Sequence, residues 1–121
     1  MSYKYRGASN SGANGWFFQR ITGIVLFVLV LAHFYIAHRT FQSGHDWDTI
    51  IARLASPYMK MFYLSFVTLG VWHGLNGLWS VIRDYNISSG YRKSIFAVIF
   101  SVGIFIGLLG FITILNLPAA H

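Results

Sequence analysis

Three long stretches of the chain carry almost no charge: Phe17 to about Ala37, about Met59 to Ile82, and about Ser94 to Leu117. A membrane-spanning helix needs roughly 20 mostly apolar residues, so each stretch is long enough to cross. Between the first two lies "DWDTIIARLAS", Asp46 to Ser56. Ile50, Ile51 and Leu54 share one helical face there, and Trp47 suits a headgroup boundary, which predicts a short interfacial helix. Pro57 can open the next helix, because its missing N–H would be unpaired in the first turn anyway. Residues 1–15 are polar and small and read as a tail; residues 16–121 read as a three-helix transmembrane domain. No cleavage site follows the first apolar run, so that run reads as an anchor and not as a signal peptide. The pattern therefore predicts an all-α membrane protein with three transmembrane helices.

Charge sets an orientation. Lys4, Arg6, Arg20, Arg83, Arg92 and Lys93 fall on one side of this arrangement, and Arg39, Arg53 and Lys60 on the other. The excess places the N-terminus inside and the C-terminus outside, in an inner (cytoplasmic) membrane crossed several times. Composition agrees: the chain is 55% hydrophobic and only 10% charged, where a soluble domain carries about 25% charged residues. A net charge of +6 raises the question of nucleic acid. The cations flank apolar runs instead of forming a patch, which fits lipid headgroups and argues against nucleic acid as a partner. Cysteine is absent, which excludes disulfides and thiolate metal sites. Gly70 and Gly74, and again Gly103 and Gly107, are spaced as GxxxG, where other helices can approach closely.

The polar residues inside the apolar runs carry the candidate chemistry. His73 lies deep in the second run, with Gly70, Gly74 and Gly77 at one-turn spacings and Trp72 and Trp79 nearby. A histidine beside cleared space can ligate a planar cofactor, and neutral imidazole is a common axial ligand of haem iron. The bland alternative is a histidine bonded to a neighbouring helix. His33 lies toward the far end of the first run. At 1.5 Å per residue it stands about 25 Å from Trp16, and His73 about 16 Å from Asp84. If Trp16 and Asp84 are level, the two histidines differ in depth by about 9 Å. That offset disfavours both gripping one upright haem. His33 then serves a second haem or bonds a hydroxyl or carbonyl on a neighbouring helix. His38 and His45 read as headgroup residues, and His121 carries no signal. Asp84 falls on the face of His73, close to three turns on, and Tyr85 follows it. A phenol and a carboxylate at a membrane boundary suit a quinone headgroup, or else an aromatic belt with Asp84 paired to Arg83 or Arg92. Arg20 is a charge inside the start of the first run, a functional candidate by default, unless it snorkels to the headgroups.

"WFFQRITGIVLF", Trp16 to Phe27, and "HGLNGLWSVIRDY", His73 to Tyr85, resemble the hydrophobic membrane anchor subunit of succinate dehydrogenase. The resemblance implies a four-subunit complex II, in which a flavoprotein oxidises succinate, an iron–sulfur subunit relays electrons, and two anchor subunits bind haem b and reduce quinone. It implies His73 as an axial haem ligand, Tyr85 as the quinone contact, with Asp84 beside it, and Arg20 as a residue near the quinone pocket. His33 departs from the one-haem anchors and is similar to two-haem members, which lean toward menaquinone over ubiquinone.

The expected function is thus an anchor that ligates one haem b, or two, and helps form a quinone site, without succinate chemistry of its own. The same fold would serve a fumarate reductase. A cofactor-free scaffold of another respiratory complex should have lost the cleared histidine site. A transport component should carry acids between the interfaces, whereas Asp46, Asp48 and Asp84 all lie at the ends of runs.

Overall fold

A computed structural model describes residues 10–41 and 46–118. The tail residues Met1 to Ser9, with Lys4 and Arg6, and also His45 and His121, lie outside the described residues. Four helices follow one another: α1 (Asn10–Phe41), α2 (Trp47–Leu54), α3 (Pro57–Asp84) and α4 (Ser89–Leu115).

The register of the long helices can be read from side-chain pairs. Along α1, Gln19, Thr22 and His33 meet Asn76, His73 and Tyr63 of α3. Rising numbers on one helix meet falling numbers on the other, so α1 and α3 are antiparallel. Glycines do the same for α4: Gly103, Gly107 and Gly110 face Leu75, Val71 and Val67 of α3. Trp79 closes that seam, edge-on to Phe96 at 4.8 Å between ring centroids. Helix α3 is therefore the central element, with α1 and α4 on different faces and α2 packed against it.

Local chemistry sets the ends. Pro57 occupies the first turn of α3, behind Ser56 in extended conformation. At the other end Tyr85 turns extended (φ −81°, ψ 142°) and its N–H bonds Ile82 O. Arg92 of α4 donates to the Tyr85 carbonyl at 3.2 Å, pinning the α3–α4 turn. The Lys60 ammonium donates to the Leu117 carbonyl, tying the start of α3 to the end of α4.

One expectation is overturned. Among the described residues two helical stretches, Ala13–Arg39 and Ser89–Leu115, are long and apolar enough to cross a membrane; α3 does not qualify, so three transmembrane helices are not supported. The reason lies in its composition. Its 28 residues include Lys60, Ser65, Thr68, His73, Asn76, Ser80, Arg83 and Asp84, which dilute its hydropathy. The orientation with N-terminus inside and C-terminus outside rested on counting three crossings and falls with that count. An all-α membrane protein stands.

Burial points the same way. Among the described residues only Ala55 and Thr22 are buried. Phe27, Phe34, Ile104, Phe105 and Ile106 are all more than half exposed. A soluble protein does not leave such a surface to water.

Candidate functional site

The seam between α1 and α3 holds a chain of polar side chains centred on His73. Thr22 is buried, at 8% exposure. Its hydroxyl has one proton, and Phe18 O at 2.7 Å takes it, one turn back. The hydroxyl is then an acceptor toward His73 Nδ1, 3.0 Å away. This geometry suits the tautomer with its proton on Nδ1 and its lone pair on Nε2. The Gln19 side chain supports the same tautomer. Its amide nitrogen donates to His73 O at 3.1 Å and stands 3.4 Å from His73 Nε2, facing the lone pair. Gln19 Oε1 in turn accepts from Asn76 Nδ2 at 2.7 Å. Ser80 Oγ continues down α3, donating to Asn76 O at 2.8 Å.

Glycines matter here, though not all those the sequence singled out. A Cβ at Gly23 would come 3.2 Å from His73 Cε1, so Gly23 on α1 makes room for the ring. A Cβ at Gly77 would come 2.7 Å from Gln19 Nε2, so Gly77 makes room for the amide. Gly70 and Gly74 have nothing within 4 Å of a would-be Cβ. At about 100° per residue they lie roughly 60° and 100° around α3 from His73. They form an open, side-chain-free face beside the histidine. Trp72 packs edge-on to Phe18 and Trp79 belongs to the α3–α4 seam.

Below this seam lies a cavity of about 450 Å³ lined by Gly15, Trp16, Gln19, Arg20, Asn76, Ser80, Arg83 and Asp84. It brings Arg20 and Asp84 to one cavity. The Arg20 guanidinium lies 3.9 Å above the Trp16 ring, a cation–π contact that holds it at the cavity wall. Arg83 donates to Ser80 Oγ at 3.4 Å. Tyr85 is exposed at the helix end and does not line this cavity. Arg92 binds the Tyr85 carbonyl.

His33 sits elsewhere. Its Nδ1 is 3.1 Å from the Tyr63 hydroxyl, and its ring is 6.0 and 6.1 Å from Phe34 and Phe66. The helix register sets it level with Tyr63, about 15 Å along α3 from His73. The sequence estimate of about 9 Å took Trp16 and Asp84 as level; the register puts Trp16 nearer Trp79. A second cavity, of about 430 Å³ and mostly apolar, adjoins His33, Tyr63 and the α2 residues Ile50, Ile51 and Leu54. His38 is exposed.

The sequence reading missed Gln19, Thr22, Asn76 and Gly23. A signal existed: Gln19 and Thr22, and likewise His73 and Asn76, are polar residues three apart in apolar runs, hence on one face of their helices.

Fold and site together describe a small helical membrane subunit with two histidines held at different levels between its helices and a polar cavity near one end. The model of the succinate dehydrogenase/fumarate reductase transmembrane subunit family matches residues 3–112, and the chain belongs to that family. It is 35% identical over 78 residues to a succinate dehydrogenase hydrophobic membrane anchor subunit of Archaeoglobus fulgidus, covering 64% of this chain and 65% of that one. It is 33% identical over 87 residues to the subunit of the same name from Thermoplasma acidophilum, covering 69% of each. A succinate dehydrogenase cytochrome b558 subunit of Bacillus subtilis is 29% identical over 109 residues, 87% of this chain and 54% of that one. The match thus spans just under two thirds of the Archaeoglobus subunit and about half of the Bacillus one.

Proposed function

We propose that this chain anchors a succinate:quinone oxidoreductase in the inner (cytoplasmic) membrane, with His73 as an axial ligand of one haem b. Its partners are a second membrane anchor subunit, an iron–sulfur subunit and a flavoprotein subunit. The observation that carries the proposal is the 3.0 Å contact between the Thr22 hydroxyl and His73 Nδ1. With Thr22 accepting from Nδ1–H, Nε2 would keep the lone pair that iron requires, while Gly70 and Gly74 leave a flat face beside the histidine. The group fits these residues with one reservation of chemistry: Gln19 Nε2 must give up its 3.4 Å approach to Nε2 when a metal takes that lone pair. Haem bound there supplies a one-electron carrier.

His33 supports a structural role and a single haem. The hydroxyl that the sequence left open as its partner is that of Tyr63. The quinone reading places Arg20 and Asp84 in the polar cavity. There Arg20 supplies a donor to a quinone carbonyl and Asp84 an acceptor for a quinol hydroxyl. Tyr85, exposed one residue on, meets a headgroup from the outer side of that helix end. Menaquinone and ubiquinone present the same carbonyl pair to these groups, and a fumarate reductase would use the same anchor.

The test is a reduced-minus-oxidised spectrum of the purified complex, with haem counted per anchor subunit, for the parent, His73→Ala and His33→Ala. The expected result is one haem in the parent, its loss in His73→Ala and its retention in His33→Ala. Unchanged haem in His73→Ala sinks the ligand assignment; two haems in the parent, one of them lost in His33→Ala, sink the structural role of His33.

A further inference from the structure

The second cavity, of about 430 Å³, lies away from the His73 seam. Ile50, Ile51 and Leu54 of α2, Ala37 of α1, and Ile114 and Leu117 of α4 give it an apolar wall. Its level follows from the two apolar spans. Ala37 lies just inside the end of Ala13–Arg39, and Leu117 just past the end of Ser89–Leu115. The cavity therefore sits where hydrocarbon gives way to headgroups. An apolar hollow offers water too few polar partners to hold it, and a space of this size falls in the range of ligand sites.

The polar groups on its wall differ in how far they are satisfied. His33 Nδ1 and the Tyr63 hydroxyl bond each other at 3.1 Å. The Thr113 hydroxyl donates to Leu109 O, one turn back, at 2.8 Å. Arg53 of α2 is half-buried, and among the described residues it makes neither a hydrogen bond nor an ion pair. The acids at this end of the chain do not serve it. Asp46 accepts from Thr49, and neither Asp46 nor Asp48 lines the cavity. A guanidinium drawn partly out of water without an anion is costly. Its planar fork matches the two oxygens of a phosphate.

An apolar hollow and an unpaired guanidinium on one wall, at the level of the headgroups, together describe an amphiphile. The hollow takes an acyl chain, and Arg53 takes the phosphate. No carboxylate lines the cavity, so the ammonium of a choline or ethanolamine headgroup finds no partner there. A headgroup with net negative charge is therefore favoured. We propose that this cavity binds an anionic phospholipid, with one acyl chain beneath α2 and the phosphodiester on Arg53. The site stands apart from the haem and quinone readings and does not rest on either.

The experiment uses the purified complex, exchanged into lipid-free dodecyl maltoside. It is titrated separately with dioleoylphosphatidylglycerol, dioleoylphosphatidylcholine, glycerol 3-phosphate and decylubiquinone, and bound molecules are counted by native mass spectrometry. The proteins are the parent, Arg53→Gln, Arg53→Lys and Ala37→Phe, the last placing a ring in the hollow. The mass of the intact complex in the same spectra reports assembly. The parent should take up phosphatidylglycerol saturably and bind phosphatidylcholine about tenfold more weakly, the difference a charge-assisted contact makes. Glycerol 3-phosphate, which has the phosphate and no chain, should not bind. Arg53→Gln should lower affinity for phosphatidylglycerol about tenfold and erase the preference over phosphatidylcholine. Arg53→Lys should keep most of that preference, and Ala37→Phe should abolish the site. If one of Arg53→Gln and Ala37→Phe fails to assemble, the other decides. Phosphatidylglycerol bound equally by the parent and either of these variants overturns the proposal, since that lipid is then only a shell around the complex. Glycerol 3-phosphate binding as tightly as the lipid overturns the role of the chain. Decylubiquinone bound in preference to phosphatidylglycerol, and lost in Ala37→Phe, overturns the choice of ligand.

Discussion

Asp84 and Tyr85 are neighbours in sequence that face different surroundings. Asp84 closes α3 on the wall of the polar cavity, while Tyr85 is the extended residue that ends the helix, 63% exposed. Its backbone is engaged on both sides: its N–H bonds Ile82 O, and its carbonyl accepts from Arg92. The phenol is thus presented on an anchored backbone, which suits a group that meets a ligand from outside the chain. Tyr85→Phe removes only the hydroxyl and leaves that backbone intact. We expect normal assembly and haem content, unchanged electron flow from succinate to a soluble dye, and quinone reduction slowed roughly tenfold, about one hydrogen bond's worth of free energy. Quinone reduction at the parent rate would return Tyr85 to the aromatic belt.

At the scale of elements, α3 is held by unlike seams. Toward α1 the contact is polar, through Thr22, Gln19, His73 and Asn76. Toward α4 it is steric, with Gly103, Gly107 and Gly110 receiving Leu75, Val71 and Val67. Lipid offers helices no hydrophobic reward for associating, so close packing at small residues has to supply the cohesion. Gly103 is the tightest point, because a Cβ there would come 2.5 to 2.9 Å from three atoms of the Leu75 side chain. Gly103→Ala should therefore force α3 and α4 apart and cost about 1–3 kcal/mol, the usual range for overpacking. Gly90→Ala meets nothing within 4 Å and should cost nothing. Thermal unfolding of the detergent-solubilised complex compares the two. Equal midpoints for parent and Gly103→Ala would contradict this account of the seam.

For the whole molecule the deciding quantity is surface. A compact monomer of this mass, 13.7 kDa, exposes roughly 6,600 Å²; this chain exposes 9494 Å². Its apolar spans contribute: the most apolar 18-residue window of α4 has none of its residues buried, and that of α1 only 6%. A bilayer is the environment that covers such a surface. We expect the protein to remain in the membrane pellet through alkaline carbonate extraction and to be released only by detergent. Its appearance in the carbonate supernatant would refute the integral-membrane assignment.

Much of this was determined by the sequence alone. Helical class and membrane character follow from residue type and one-dimensional spacing, which also single out His73, Arg20 and Asp84 as candidates. Apolar runs demand helices in lipid, and a polar group within such a run demands a partner. Family membership was legible in the Trp16 and His73 motifs for the same reason. Other features exist only between helices. Which atom of His73 is protonated depends on Thr22, whose hydroxyl is already committed to Phe18 O. Which glycine clears the ring depends on the α1–α3 register: it is Gly23, on the other helix, and not Gly70 or Gly74. His33 found its hydroxyl on Tyr63, thirty positions along the chain. The count of spanning helices was misjudged where polarity and length pull against each other, in α3. Spacing along one helix tells which residues share a face, but the partner across the seam is set by how two helices slide and rotate against each other, and only the tertiary structure decides that.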